Sequence, residues 1–121
     1  MFTITIETNF AACHQLTLAD GSKEPSHSHD WQVTVEVSSE KLDQIGCVMD
    51  FHQLKSAADS IAAELDNDRL AGLEYFQKNN PSAENVAKYI FDGLKSILPD
   101  EVVLTSVEVT EHPGCRAKFC I

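Results

Sequence analysis

Three histidines carry most of the chemistry in this chain: His14, at the end of Phe10-Ala11-Ala12-Cys13-His14, and the pair in Ser26-His27-Ser28-His29. A neutral imidazole nitrogen is a good ligand for a borderline metal. Three of them leave a fourth tetrahedral position for water or substrate, which is the arrangement of a catalytic zinc site. In an extended segment residues i and i+2 face the same side, so His27 and His29 can grip one ion while Ser28 and Asp30 point away. A His-x-His pair is also common surface decoration, so the elements that carry these residues have to decide.

Phe2, Ile4 and Ile6 alternate with Thr3, Thr5 and Glu7, the period-two pattern of a strand with one buried face, and this strand is expected to run on to His14. Gln15 to Ser26 contains Asp20-Gly21-Ser22 and Pro25 and has no period, which predicts a loop. From Asp30 the alternation returns, with Trp31, Val33, Val35 and Val37 on one side, so the His-x-His pair stands at the entrance to a second strand. Gly46 to Asp50 leads into a helix whose apolar stripe is Leu54, Ala58, Ile61 and Leu65. Asp66 to Asn79 reads as irregular. Asn80-Pro81-Ser82 opens another helix, striped by Val86, Ile90, Leu94 and Ile97 and ended by Pro99. Val103, Thr105, Val107 and Val109 predict a third long strand, and Ala117, Phe119 and Ile121 a fourth. The order ββααββ implies an α+β fold, an antiparallel four-stranded sheet with two helices on one face.

A chain of 121 residues with 43% apolar content is expected to form a single domain over 1–121. It has no apolar run of the roughly 18 residues a membrane span needs, and Phe2 to Glu7 does not look like a signal peptide, so a cytoplasmic location is expected. Cys13, Cys47, Cys115 and Cys120 sit singly without a C-x-x-C pair and read as buried free thiols. The net charge of -10, from 19 acidic and 9 basic residues, argues against nucleic acid or anionic lipid as partner. A small anionic substrate would need local cations, of which Lys23, Arg69, Lys78, Arg116 and Lys118 are candidates.

Together these segments resemble the 6-pyruvoyltetrahydropterin synthases and the 6-carboxytetrahydropterin synthases of queuosine biosynthesis. Phe10 to His14 is similar to that family's F-x-A-A-H, and His27-Ser28-His29 to its H-G-H. Gly46 to Phe51 followed by Leu54-Lys55 is similar to G-x-V-x-D-F-x-x-L-K, and Leu65-Asp66 falls where L-D-H does. Pro81 to Asn85 is similar to P-T-x-E-N, and Val109-Thr110-Glu111 to the late V-x-E-T. The resemblance implies the tunnelling fold (T-fold), in which trimers close a barrel and two trimers stack into a homohexamer with active sites between subunits. It also implies Zn2+ on His14, His27 and His29, polarising the side chain of 7,8-dihydroneopterin triphosphate or a close relative. Glu111 would anchor the pterin, with Ser82 and Glu84 on the substrate side. An acid such as Glu84 at a helix start is favoured by the helix dipole without any ligand, and Asp50 serves equally well as a helix cap.

The family's proton chemistry relies on a cysteine shortly before H-G-H and on the Asp-His of L-D-H. No cysteine lies between His14 and His27, and Asn67 follows Asp66 where the histidine would stand. Cys13 is a poor substitute, because it neighbours His14 on a strand and should face the other side. An amide cannot take and return a proton near neutral pH. Glu24, a carboxylate in the loop before His27, is the candidate base, with Asp66 as its catalytic companion; an exposed loop acid is the other reading of Glu24. His52 and His112 are either replacement acids or surface residues at element ends. Three functions follow: a zinc-dependent pterin lyase or synthase giving a 6-substituted tetrahydropterin, an altered paralogue that binds zinc and a pterin without turnover, or a purely structural hexamer whose histidines bind metal incidentally.

Overall fold

The computed structural model describes residues 1–66 and 68–121, with backbone only at 68, so the expectation placed on Asn67 lies outside the described residues. Two long strands, β1 (Phe2–His14) and β2 (His27–Ser39), form an antiparallel pair. Then follow α1 (Phe51–Leu65), a two-residue β3 (Asp68–Arg69), one 3-10 turn (Leu70–Gly72), a short α2 (Glu74–Lys78) and α3 (Ala83–Lys95). The hairpin of β4 (Val103–His112) and β5 (Cys115–Cys120) completes the sheet. Its strand order is β3-β1-β2-β4-β5, with only β3 parallel to its neighbour. The four long strands and the two main helices agree with the sequence reading. The added β3, 3-10 turn and α2 lie in the stretch expected to be irregular, where each is too short to show a period.

Alternation in β1 and β2 and the helical stripes bury one continuous core. Ile6 and Phe10 of β1 and Trp31, Val33, Val35 and Val37 of β2 meet Leu54, Ala58, Ile61 and Leu65 of α1 and Val86, Ile90 and Leu94 of α3. Asp50 caps α1 by accepting from the His52 backbone N at 2.9 Å, and Ser82 caps α3 by accepting from Asn85 N at 3.2 Å. The helices touch closely at Gly93, where an added Cβ would stand 3.0 Å from Ile61 Cδ1. No described helix is long and apolar enough to cross a membrane.

Three expectations are corrected. Val37 pairs with Leu104 and Glu36 with Ser106, so Thr105 is an extra residue, a β-bulge that shifts the phase of β4. Leu104 therefore joins the core while Val103 is turned outward. α3 ends at Lys95, two residues before Ile97, which is exposed. The four cysteines are free, but none is buried: Cys13 and Cys47 are half-buried, and Cys115 and Cys120, at the two ends of edge strand β5, are exposed.

Leu94 is fully enclosed between α3 and the sheet. Leu94→Ala should lower the unfolding free energy by about 2–5 kcal/mol in urea denaturation; a loss below about 1 kcal/mol would contradict the packing described.

Candidate metal centre and its surroundings

His14 lies directly opposite His27 in the β1–β2 pair, and Ala12 lies opposite His29, so a methyl group faces the second imidazole of the pair and leaves it room. The strand begins at His27 rather than at Asp30, so the His-x-His pair belongs to the ladder itself. His14, His27 and His29 therefore project from one face with ring centroids 4.4–5.3 Å apart. Trp31 follows on that same face, its ring edge-on to His14 at 4.9 Å and its indole N donating to Ala12 O at 3.3 Å.

Glu111 arrives from β4. Thr110 pairs with Arg116 and His112 with Cys115, so Glu111 is the extra residue of a second β-bulge. A bulge re-aims side chains beside it, and here two consecutive residues reach the histidines: Glu111 by its carboxylate, and exposed His112 by stacking on His29 with centroids 5.9 Å apart. Glu111 Oε1 stands 2.9 Å from His14 Nε2, 3.0 Å from His29 Nε2 and 3.5 Å from His27 Nε2. All four ligand atoms lie within 4.8 Å of one another.

Two backbone carbonyls fix which ring nitrogens point inward. His14 Nδ1 is 2.7 Å from Pro81 O, and His27 Nδ1 is 3.1 Å from Pro25 O. A carbonyl only accepts, so each Nδ1 carries the proton and each Nε2 turns a lone pair, or a second proton, toward the common point. His29 Nε2 is buried and, although 3.0 Å from Glu111, forms no hydrogen bond among the described residues. Burial of His29 and, less strongly, the charges of His27, His14 and His112 push its pKa down, outweighing the opposite pull of Glu111. Burial pushes Glu111 up, but the charges of His14 and His29 and the hydrogen bonds from His14 and His27 prevail and hold it below the usual carboxylate range. Three ring nitrogens turned to one point, one of them the unpartnered buried Nε2 of His29, beside an ionised carboxylate fit a divalent metal such as zinc.

Of the other residues singled out in the sequence, Glu24 comes closest. Its Oε1 is 4.0 Å from His27 Nε2 and accepts from Leu16 N at 3.2 Å. Asp66 caps the C-terminal end of α1 and accepts from Ala11 N at 2.9 Å; it is not one of the four converging groups. Ser82 uses its hydroxyl as the α3 cap, and Glu84 is exposed in the first turn of that helix. Pro81 and Pro25 act through carbonyl oxygens, which no side-chain pattern reveals, and so escaped the sequence reading.

An α+β sheet carrying a three-histidine, one-carboxylate centre at its strand ends defines the class. The family model described as 6-pyruvoyl tetrahydropterin synthase matches residues 3–120, and the chain belongs to that family. It is 36% identical over 129 residues to the 6-carboxy-5,6,7,8-tetrahydropterin synthase of Synechocystis, covering 98% of this chain and 93% of that protein. It is 30% identical over 108 residues to the dihydroneopterin monophosphate aldolase of Pyrococcus furiosus, covering 89% and 88%. The solved 6-pyruvoyl tetrahydropterin synthase of Caenorhabditis elegans superposes with a TM-score of 0.89 at 25% identity, covering 98% of this chain and 94% of that one.

A carboxylate whose pKa is lowered by folding contributes stability above its ordinary value and loses that contribution as the pH falls through the lowered one. In chelator-treated protein the melting temperature should therefore drop between about pH 5 and pH 3, and drop less in Glu111→Gln. Identical acid limbs for the two proteins would show that Glu111 is not held by the histidines.

Proposed function

We propose that the protein is a zinc-dependent lyase of pterin metabolism acting on a phosphorylated 7,8-dihydroneopterin, with Glu24 as its base. The observation that carries this reading is the convergence of three Nε2 atoms and Glu111, with the Glu24 carboxylate 4.0 Å from His27. His14, His27 and His29 would hold the metal, which when bound polarises the oxygens of the substrate side chain. Glu111 would accept the pterin N–H groups, as carboxylates do well.

Glu24 stands in the loop where the family resemblance calls for a cysteine, and one carboxylate suits aldol-type cleavage. A side-chain hydroxyl gives its proton to Glu24 and its oxygen becomes an aldehyde. The neighbouring C–C bond breaks, and its electron pair stays on the carbon attached to the ring, which takes the proton back from Glu24. Forming a pyruvoyl side chain moves protons at more than one carbon, for which the sequence offers neither the cysteine nor the second histidine. The Pyrococcus furiosus relative, an aldolase by name, supports the same direction. The Synechocystis relative, a 6-carboxy-5,6,7,8-tetrahydropterin synthase by name, supports the second reading, a 6-carboxy product. The intact donor set with a carboxylate beside it argues against an inactive paralogue.

The working form is proposed to be a cytoplasmic homohexamer of two T-fold trimers. Among the described residues β1 is paired on its outer side only at Ala12 and Cys13, and β5 ends the sheet, so both edges need cover. Asp66 lines a cavity of about 740 Å³ with Glu7, Asn9 and Lys55 beside the β1 edge, where it would serve a site shared with a neighbouring subunit.

Purified wild type should carry zinc, and His27→Ala should lose it by metal analysis; stoichiometric zinc in the variant would overturn the ligand assignment. With dihydroneopterin mono- and triphosphate as substrates, products identified by mass decide between cleavage, carboxy and pyruvoyl outcomes, the last expected to be slow or absent. Glu24→Gln should lower turnover by about 10² to 10⁴-fold while retaining zinc. Unchanged turnover would remove Glu24 from the mechanism.

A further inference from the structure

Next to the metal centre lies a second cavity, of about 550 Å³, whose lining includes Gln15, Lys23, Gln77, Lys78 and Asn80 and, among the described residues, no carboxylate. In a chain with 19 acids against 9 bases this is an unusual wall. Four other cavities each carry at least one carboxylate: Glu7, Glu40, Asp100 and Glu64 respectively. Lys23 and Lys78, like Lys41 and Lys95 elsewhere on the surface, form no ion pair among the described residues, whereas Lys55, Lys88, Arg116 and Lys118 are each paired with an acid.

The cavity is tied together and tied to the site. Asn80 clamps the two walls, accepting from Thr17 N and donating to Thr17 O, both at 2.8 Å, and Thr17 bridges to Lys23 across the loop. Gln15 follows ligand His14 directly, and Pro81, which also lines the cavity, holds His14 by its carbonyl. Lys23 and Glu24 are consecutive; one lines the cavity while the other extends its carboxylate to His27. The recess and the centre thus share Pro81 and are lined by residues adjacent in sequence, Gln15 beside His14 and Lys23 beside Glu24.

We propose that this cavity binds the phosphate tail of the substrate, with Lys23 and Lys78 as its counter-charges and the amides of Gln15 and Gln77 as further donors. The proposal rests on the reading that the metal centre works on a phosphorylated pterin. An anion approaching a chain of net charge -10 is repelled overall, so a local cation pair is what makes such a ligand bindable.

The test is calorimetric titration of the zinc-loaded protein with inorganic pyrophosphate, neopterin and neopterin phosphate. The double variant Lys23→Ala/Lys78→Ala is compared with Lys41→Ala/Lys95→Ala, which has the same net charge. The cavity variant should bind pyrophosphate and neopterin phosphate about tenfold or more weakly, hydrogen bonds to charged groups being of that strength, with neopterin unchanged and the control variant like wild type. Equal weakening in both variants, unchanged pyrophosphate affinity in the cavity variant, or no pyrophosphate binding by wild type would overturn the proposal. If pyrophosphate binds through the two lysines and no pterin binds to wild type, the substrate reading fails and the anion site stands.

Discussion

Pairing of β1 with β2 sets His14 opposite His27 and Ala12 opposite His29, and every other part of the centre is built outward from that register. Side chains alternate along a strand, so a slip of one residue would send the histidines of one strand to the polar face and break up the set. The apolar alternation of Ile6 and Phe10 against Trp31, Val33 and Val35 forbids the slip, because the same shift would expose the core. Hydrophobic burial and the convergence of the histidines thus depend on one constraint. Trp31 and Phe10 stack at 5.7 Å immediately behind His14, which joins the packed core to the polar centre without a gap between them.

Register brings the rings together but leaves their rotation and protonation undetermined. Those are set by chain segments that are remote in sequence: Pro81 at the start of α3 for His14, and Pro25 just before β2 for His27. The Asn80 clamp on Thr17 fixes the first of these segments against the loop that carries Glu24. Loop, helix start and strand end therefore form one unit. Displacing the Asn80-Pro81-Ser82 segment would disturb the His14 ring, the Glu24 loop and a helix cap together, although none of its side chains touches the histidines' inward nitrogens.

Much of this was readable from the residues alone. Alternation in Phe2–Glu7 and Trp31–Val37 and the stripe Leu54, Ala58, Ile61 and Leu65 named the main elements, and the spacing of His14, His27 and His29 named the centre. What escaped has a common physical character. The bulges at Thr105 and Glu111 insert one residue without a glycine or any other local marker, so Val103 was given the wrong face and the reach of His112 to His29 was not foreseen. Ile97 continued a helical period past the point where the backbone stopped following it. Cys115 and Cys120 read as buried thiols, but β5 is an edge strand with no neighbour beyond it among the described residues. Periodicity reports what a regular element would bury; it is silent about where the element is interrupted or what lies beside it.

Trp31 is the only tryptophan in the chain, fully shielded from solvent, with its ring centroid 4.9 Å from that of His14. Its excited state samples the imidazole directly, and an imidazolium quenches indole emission where a neutral ring does so far less. The Trp31 ring also meets that of His29 edge-on at 6.0 Å, so the intrinsic fluorescence of the unlabelled protein is an optical readout of changes at the histidines of the centre.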